Sequence, residues 1–446
     1  MSHTEYQLQI KSLSDRLLAL QRPIRILDAI KWPSSLEHRF LASDGSRMPA
    51  ADLDFYQRQP LGFDPALLRD NFKSLRRDVK RQLGSHDGLG VILLNTIDQY
   101  LLVIELLSYR GTQEFGQFSR RLYGSARDHL RGDRKTLRQL GERLCHIFSL
   151  PAAEHLNRPY GKTIGAEAAV DILRQRLTSF FPDDALRVIL SDGIVSDAAA
   201  GGDYIKINQD ADFSTFDLQV LEVHEGWVHV GTTLNGRRQP WASWLSVGSP
   251  RVTACQEGLA VLMETLTFSS YPQRALKVSD RVVAVDMAEQ GADFIEVFRF
   301  FKDRGLPAKD SYRITQRVFR GGTLRGGSVF TKDISYLRGF VENVNFIRSA
   351  INSGVPEILP MLFVGKVTLD DIPILYEHYL EGTIIGPQYI PSMFRDLNGL
   401  YVWFGFASGI SVINMGRVQK HFDKLFKTMP KTAPLYENVI DTTNAD

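Results

Sequence analysis

Two histidines and a glutamate within residues 217–236, "DLQVLEVHEGWVHVGTTLNG", are the side chains of this sequence best suited to chemistry. His224, Glu225 and His229 spell H-E-x-x-x-H. Imidazole nitrogens bind divalent metals, and two on one helical face beside a carboxylate can build a zinc site with a general base. The common spelling of that arrangement, H-E-x-x-H, is one residue shorter. Residues five apart on a regular α-helix point about 140° from each other, and residues four apart only about 40°. On a straight helix this pair would be two diverging, half-exposed histidines. A single π-bulge absorbs one residue and returns i and i+5 to a common face. Gly226 lies inside the motif, where a helix deforms most easily. A zinc site here therefore requires the helix to bulge near residues 226–228.

Catalytic zinc takes three protein ligands and keeps one position open. The next helical stretch, "TACQEGLAVLMETL", offers Glu257, and two histidines with a downstream glutamate match the His₂Glu arrangement. Glu264, seven residues on and nearly on the same helical face, competes for the ligand role or holds a histidine ring from behind. Glu225 has the position of the general base. It would take a proton from a zinc-bound water and pass it to a leaving amine. Each carboxylate also has a plain reading as a salt-bridged or solvent-facing helix residue.

The elements around these residues read as α+β, mostly helical, with a small central sheet. The first 150 residues show helical apolar spacing, and a second part, 151–446, begins near "NRPYGKTIGAEAAV". Two β-like runs, "ALRVILSD" (185–192) and "DYIKIN" (203–208), flank the turn-rich "GIVSDAAAGG". Ser214 and Asp217 form a capping-box pattern ahead of the histidine helix, and Gly231 is a plausible stop. Ser249 and Pro250 would open the helix that carries Glu257. Further helices are expected near 281–303, 331–352 and 369–381.

Composition sets the limits. The 446 residues are 43% hydrophobic and 23% charged, ordinary globular values, and the net charge of +2 does not announce a nucleic-acid binder. Residues 1–150 carry 23 Lys/Arg against 17 Asp/Glu and the remainder 30 against 34, a modest asymmetry. The two cysteines, Cys145 and Cys255, suit a reducing compartment. The opening residues read as an amphipathic helix and lack the layout of a signal peptide. The uncharged run 397–416 approaches membrane-span length, but its polar residues and glycines favour a buried core helix. These features lead us to expect a cytoplasmic protein with neither membrane nor nucleic acid as partner.

"HEGWVHVGTTLNG" followed by "QEGLA" resembles the QEGLA-motif proteins of bacteria, described as modulators of flavohaemoglobin expression. It is also similar to the microtubule-associated tyrosine carboxypeptidases, which remove the C-terminal tyrosine of α-tubulin. "RVFRGG" (317–322) and "FTKDISYLRG" (330–339) match more loosely, and the likeness covers roughly residues 150–380. It implies a zincin-like metallopeptidase with one Zn²⁺ per chain, His224, His229 and Glu257 as ligands, and Glu225 as base. The substrate would be the C-terminus of a peptide or protein; tubulin specificity is not carried over with the motif. A carboxypeptidase needs a cation for the terminal carboxylate and an electrophile beside the developing oxyanion. Arg320 and Tyr336 are the candidates for catalysis, and Arg317 and Lys332 for substrate binding. "RGGTLRGG" suits a loop over a cleft, and "DYIKIN" could be an edge strand that pairs with an extended peptide. Two other readings stay open: a regulatory or binding protein with a metal site but little turnover, and a zinc amidohydrolase on a non-peptide substrate.

Overall fold

A computed structural model describes residues 2–427 apart from 152, 154, 155, 157–160, 183–185, 193 and 195. The architecture is α+β, a mostly helical body around one three-stranded sheet. The elements that matter for the site are α1 (His3–Gln21), α2 (Pro65–Leu83), α3 (Gly88–Ser108), α4 (Ala166–Phe180) and strands β1 (Arg187–Ser191), β2 (Ala198–Ala200) and β3 (Tyr204–Asn208). Then follow α5 (Thr215–Leu221), a π-helical segment (Glu222–Val230) and α6 (Gly231–Arg237), joined without a break. Beyond them lie α7 (Thr253–Leu266), α8 (Pro272–Glu289), α9 (Ala308–Phe319), α10 (Ser335–Asn352), α11 (Asn398–Ile410) and α12 (Met415–Phe426).

The sheet runs in the order β1-β3-β2, with β1 parallel and β2 antiparallel to β3. The "DYIKIN" run is thus the central strand and cannot offer an edge. The edge strand beside the site is β2, inside the stretch whose alanines and glycines read as a turn. Alanine and glycine are weak strand formers, and here pairing with β3 overrides that preference.

Ser214 caps α5 as its spacing predicts, with Ser214 Oγ accepting from Asp217 N and Asp217 Oδ2 accepting from Ser214 N. Gly231 does not stop the helix. It holds right-handed helical angles, φ −54° and ψ −49°, and its N–H bonds back to Gly226 O five residues earlier. Ser249 precedes a 3₁₀ turn, Pro250–Val252, that leads into α7, and it makes no side-chain cap bond there. Region 281–303 is two helices, α8 and Phe294–Asp303, separated at Gly291 with φ 104°.

Two apolar cores meet at the histidine helix. The larger gathers α1, α2 and α3 with α7, α8, α10 and α11, and takes Val223 and Val228 from the π segment. The smaller joins α4 to the sheet and takes Leu218, Val230 and Leu234. Trp227 touches both. A helix apolar on two sides is gripped on two sides, and each fully buried Val or Leu contributes about 1.5–3 kcal/mol. This grip holds the π segment in register.

Among the described residues, α3 alone has the length and hydropathy of a single membrane span, and 61% of its apolar window is buried within the fold. The run 397–416 departs from expectation. Only Leu400 and Phe404 of α11 are buried, whereas Trp403, Phe406 and Ile410 are exposed. α12 buries none of its residues. An apolar run states what a helix could bury, and the described residues cover only one side of α11.

Candidate active site

The π segment gives the two histidines a common face, as their spacing requires. Their rings stand edge to face with centroids 4.9 Å apart. Gly226 permits the close approach to α4: a Cβ there would lie 2.3 Å from Leu177 Cδ2. From the facing helix α7, Glu257 Oε2 lies 3.5 Å from His224 Nε2 and 3.6 Å from His229 Nε2. The donor atoms of His224, His229 and Glu257 all fall within 4.8 Å of one another.

Behind His224 stands Glu264, one-half of the choice the sequence left open. His224 Nδ1 donates to Glu264 Oε1 at 2.6 Å, and Arg274 donates to both oxygens of Glu264 at 2.8 and 3.1 Å. A carboxylate can only accept, so Nδ1 carries a proton, and Nε2 is the ring atom turned toward Glu257 and His229. Glu264 therefore orients the ring and stays outside the cluster. Burial disfavours charge on His224, but bonds to Glu257 and Glu264, with the charges of Glu264 and Glu225, outweigh it and lift the imidazole to about 10. Burial would likewise raise Glu257, yet Lys332 and the two histidines hold it well below the usual carboxylate range.

The five letters of "QEGLA" each have a place. Gln256 Oε1 accepts from Thr232 Oγ1 and from Lys366 Nζ, tying α7 to α6. Glu257 enters the cluster. Gly258 crosses Gly339 of α10 so closely that a Cβ on Gly258 would lie 1.9 Å from the Gly339 carbonyl carbon. Leu259 and Ala260 are fully buried.

Glu225 Oε2 accepts from Ala200 N at 2.9 Å, a bond from the edge strand β2. It lines a cavity of about 400 Å³ together with His224, His229, Glu257 and Tyr336. A second cavity, of about 810 Å³, shares His229, Ala200 and Leu27 with the first and is bounded by α1, β2 and Lys366. The cluster thus lies where two cavities meet.

The remaining residues singled out in the sequence all line the smaller cavity, but they are differently engaged. Lys332 donates to Glu257 Oε1 at 2.9 Å. Arg317 forms a two-pronged pair with Asp333 at 2.7 and 2.8 Å and reaches Tyr336 Oη at 3.4 Å. Tyr336 lies near-parallel to the His224 ring, with centroids 6.3 Å apart. Arg320 is buried over Phe330, its Nε without a partner, and burial pulls its pKa down to about 10. Sequence reading missed Arg274, Arg281 and Lys366. The first two stand seven residues apart on one face of α8, with Lys277 between them, a row of cations at helical spacing on a largely buried helix. That placement was the available signal. Lys366 Nζ donates to His229 O, Thr232 Oγ1 and Gln256 Oε1 at 2.8–3.0 Å, and burial depresses it to about 7. Nothing in its local sequence marks it.

Fold and site together define a mostly helical α+β protein whose two-histidine, one-glutamate cluster opens onto a cation-lined cavity. The family model described as microtubule-associated tyrosine carboxypeptidase matches residues 38–411, and the chain belongs to that family. Its name describes carboxypeptidases, so the chain is a member of a peptidase family. No protein of curated function matches the sequence.

Proposed function

We propose that this protein is a zinc-dependent carboxypeptidase that removes the last residue, an aromatic one by analogy with the family's name, from a peptide or protein. The observation that carries the reading is the convergence of His224, His229 and Glu257 at the junction of two cavities. Bonds of about 2.1 Å in a tetrahedron put ligand atoms about 3.4 Å apart. The separations of 3.5 and 3.6 Å from Glu257 Oε2 to the two histidines fit that figure. The donor set fits as well: two imidazoles, one of them fixed by a carboxylate behind it, and one carboxylate. Zinc bound there would supply Lewis acidity toward water and the scissile carbonyl.

The protein's own residues then divide the work. Glu225 takes a proton from the attacking water, whose oxygen bonds to the carbonyl carbon. As the C–N bond breaks, the same carboxylic acid returns the proton to the leaving amine, giving a new carboxylate and a free amino acid. Tyr336, on the wall of the same cavity, would donate to the oxygen that gains charge. Lys332, bonded to the Glu257 oxygen that faces away from the histidines, fixes which oxygen is presented to the metal.

Protein expressed with zinc should hold about one equivalent per chain and should trim peptides from the C-terminus. A chelator should abolish cleavage and zinc should restore it. A metal-free product, or cleavage indifferent to the chelator, would sink this reading. A finer test concerns Glu264. Glu264→Gln keeps the shape but weakens the hold on His224, and zinc affinity measured by competition with a chromogenic chelator should fall about 10- to 100-fold. An unchanged affinity would show that the ring needs no anion behind it.

A further inference from the structure

The carboxypeptidase reading requires one cation free to receive the substrate's terminal carboxylate, and most cations around the smaller cavity are already committed. Lys332 is bonded to Glu257, Arg274 to Glu264 and Arg317 to Asp333. Lys277 and Arg281 have no such bond among the described residues, and of the two only Arg281 carries the fork that matches a carboxylate. Its nearest carboxylate oxygen, Asp333 Oδ2, is 3.9 Å away and is already bonded to Arg317 at 2.7 Å. Two guanidinium groups thus share one carboxylate, which leaves a positive charge over in a buried place. Among the described residues, Arg281 Nε and Nη1 are both buried without a hydrogen-bond partner. A buried charge with unsatisfied donors is costly, and a bidentate anion is the ligand that removes the cost.

Position singles out the same residue. The Arg281 guanidinium lies 4.4 Å from the Tyr336 ring centroid, and that ring lies 6.3 Å from the His224 ring. The stack Arg281, Tyr336, His224 leads from this guanidinium to the proposed metal-ligand cluster through the phenol assigned to the oxyanion. In a C-terminal residue the scissile carbonyl and the terminal carboxylate are separated by a single amino acid, so their receptors must be near neighbours. Arg320 lines the same cavity and has an Nε without a partner among the described residues, but it is stacked at 5.6 Å over Phe330 of the larger core and not over the Tyr336 ring.

We infer that Arg281 receives the terminal carboxylate of the substrate and so fixes its polarity. The last residue enters the smaller cavity, and the upstream chain leaves past Ala200 into the larger one. This inference rests on the carboxypeptidase reading, and its test keeps the two apart.

An N-blocked tripeptide ending in tyrosine is compared with its C-terminal amide. On the zinc-loaded wild type, kcat/KM should favour the free acid by about 10- to 100-fold, the weight of a charge-assisted pair. Arg281→Met should erase that preference, chiefly by raising KM for the acid, with zinc content unchanged. Arg281→Lys, which keeps the charge but not the fork, should fall between. Calorimetry on Glu225→Gln supplies a reading that needs no turnover: it should bind the acid over the amide, and Glu225→Gln/Arg281→Met should not. Equal preference in wild type and Arg281→Met overturns the assignment, as does loss of preference in Arg320→Met instead, or failure of the acid to bind. Carboxylate-selective binding lost with Arg281, but with no cleavage by wild type, would uphold the receptor and reject the hydrolase.

Discussion

Glu225→Gln should lower kcat by about 10²- to 10⁴-fold, the usual weight of a positioned general base, while the protein keeps its zinc. The two halves of that result come from geometry. Glu225 is not among the three residues whose donor atoms converge, so its loss leaves the ligand set intact. Its one recorded bond is from Ala200 N, and the amide oxygen of glutamine can accept that bond equally well. Fold, edge strand and metal site should therefore be undisturbed. What disappears is the carboxylate able to hold a proton between water and the departing amine. Single-turnover rates and metal analysis on the same sample measure both quantities. A variant that retains more than about a tenth of the wild-type rate would remove Glu225 from the mechanism. Loss of zinc on the same change would make it part of the metal site.

The second large effect is expected far from any polar chemistry, at Gly258→Ala. Cβ positions built on Gly258 and on its neighbour Gly339 would lie 1.9 Å from the Gly339 carbonyl carbon and 1.6 Å from Ala254 O, both backbone atoms that cannot swing aside. A single methyl group must push α7 and α10 apart. Overpacking of this kind costs about 1–3 kcal/mol or more. Here it also displaces the cluster, since α7 carries Gln256, Glu257 and Glu264 while α10 carries Tyr336 and continues from the 3₁₀ turn Thr331–Ile334 that holds Lys332. Gly258→Ala should lower the unfolding midpoint in urea and weaken zinc binding together. Gly399→Ala is the control, because nothing lies within 4 Å of that position in helix α11. The control should be neutral or slightly stabilising, since alanine outranks glycine in a helix. Equal stability of the two variants would mean that the helix crossing tolerates a spacer.

The contrast between what could and could not be read in the sequence follows the range of the interactions. The capping box at Ser214 and the bulge demanded by His224 and His229 depend on residues three and five apart, and short-range geometry is written in the sequence. Glu257 was distinguishable from Glu264 only through the family resemblance, because both lie on nearly the same face of α7. The crossing angle of two helices decides which one reaches the histidines. β2 was hidden because alanines and glycines carry no strand signal and its pairing is supplied by β3. Arg281 and Lys366 were missed for a related reason: a cation's importance depends on which carboxylates its neighbours have already claimed, and that is a property of the folded site. The exposure of α11 was misjudged because hydropathy describes a helix and not its surroundings.

The π segment has one more consequence, for insertions and deletions. Removing one residue between Glu225 and His229 would produce the common H-E-x-x-H spelling, and on paper would simplify the motif. The segment would then close to a regular α-helix, because the bulge exists only to absorb that residue, and everything downstream would stay in phase. Asn235, which donates to Phe363 O and Tyr389 O and accepts from the N–H groups of Gln388 and Tyr389, would keep both chain segments it joins. Thr232 would keep Gln256. A deletion between Gly231 and Asn235 is different, because no bulge there can absorb it: the asparagine clamp would turn by about 100° about the helix axis while the two imidazoles stayed in place. The π segment thus tolerates a change of length that the regular turn after it does not.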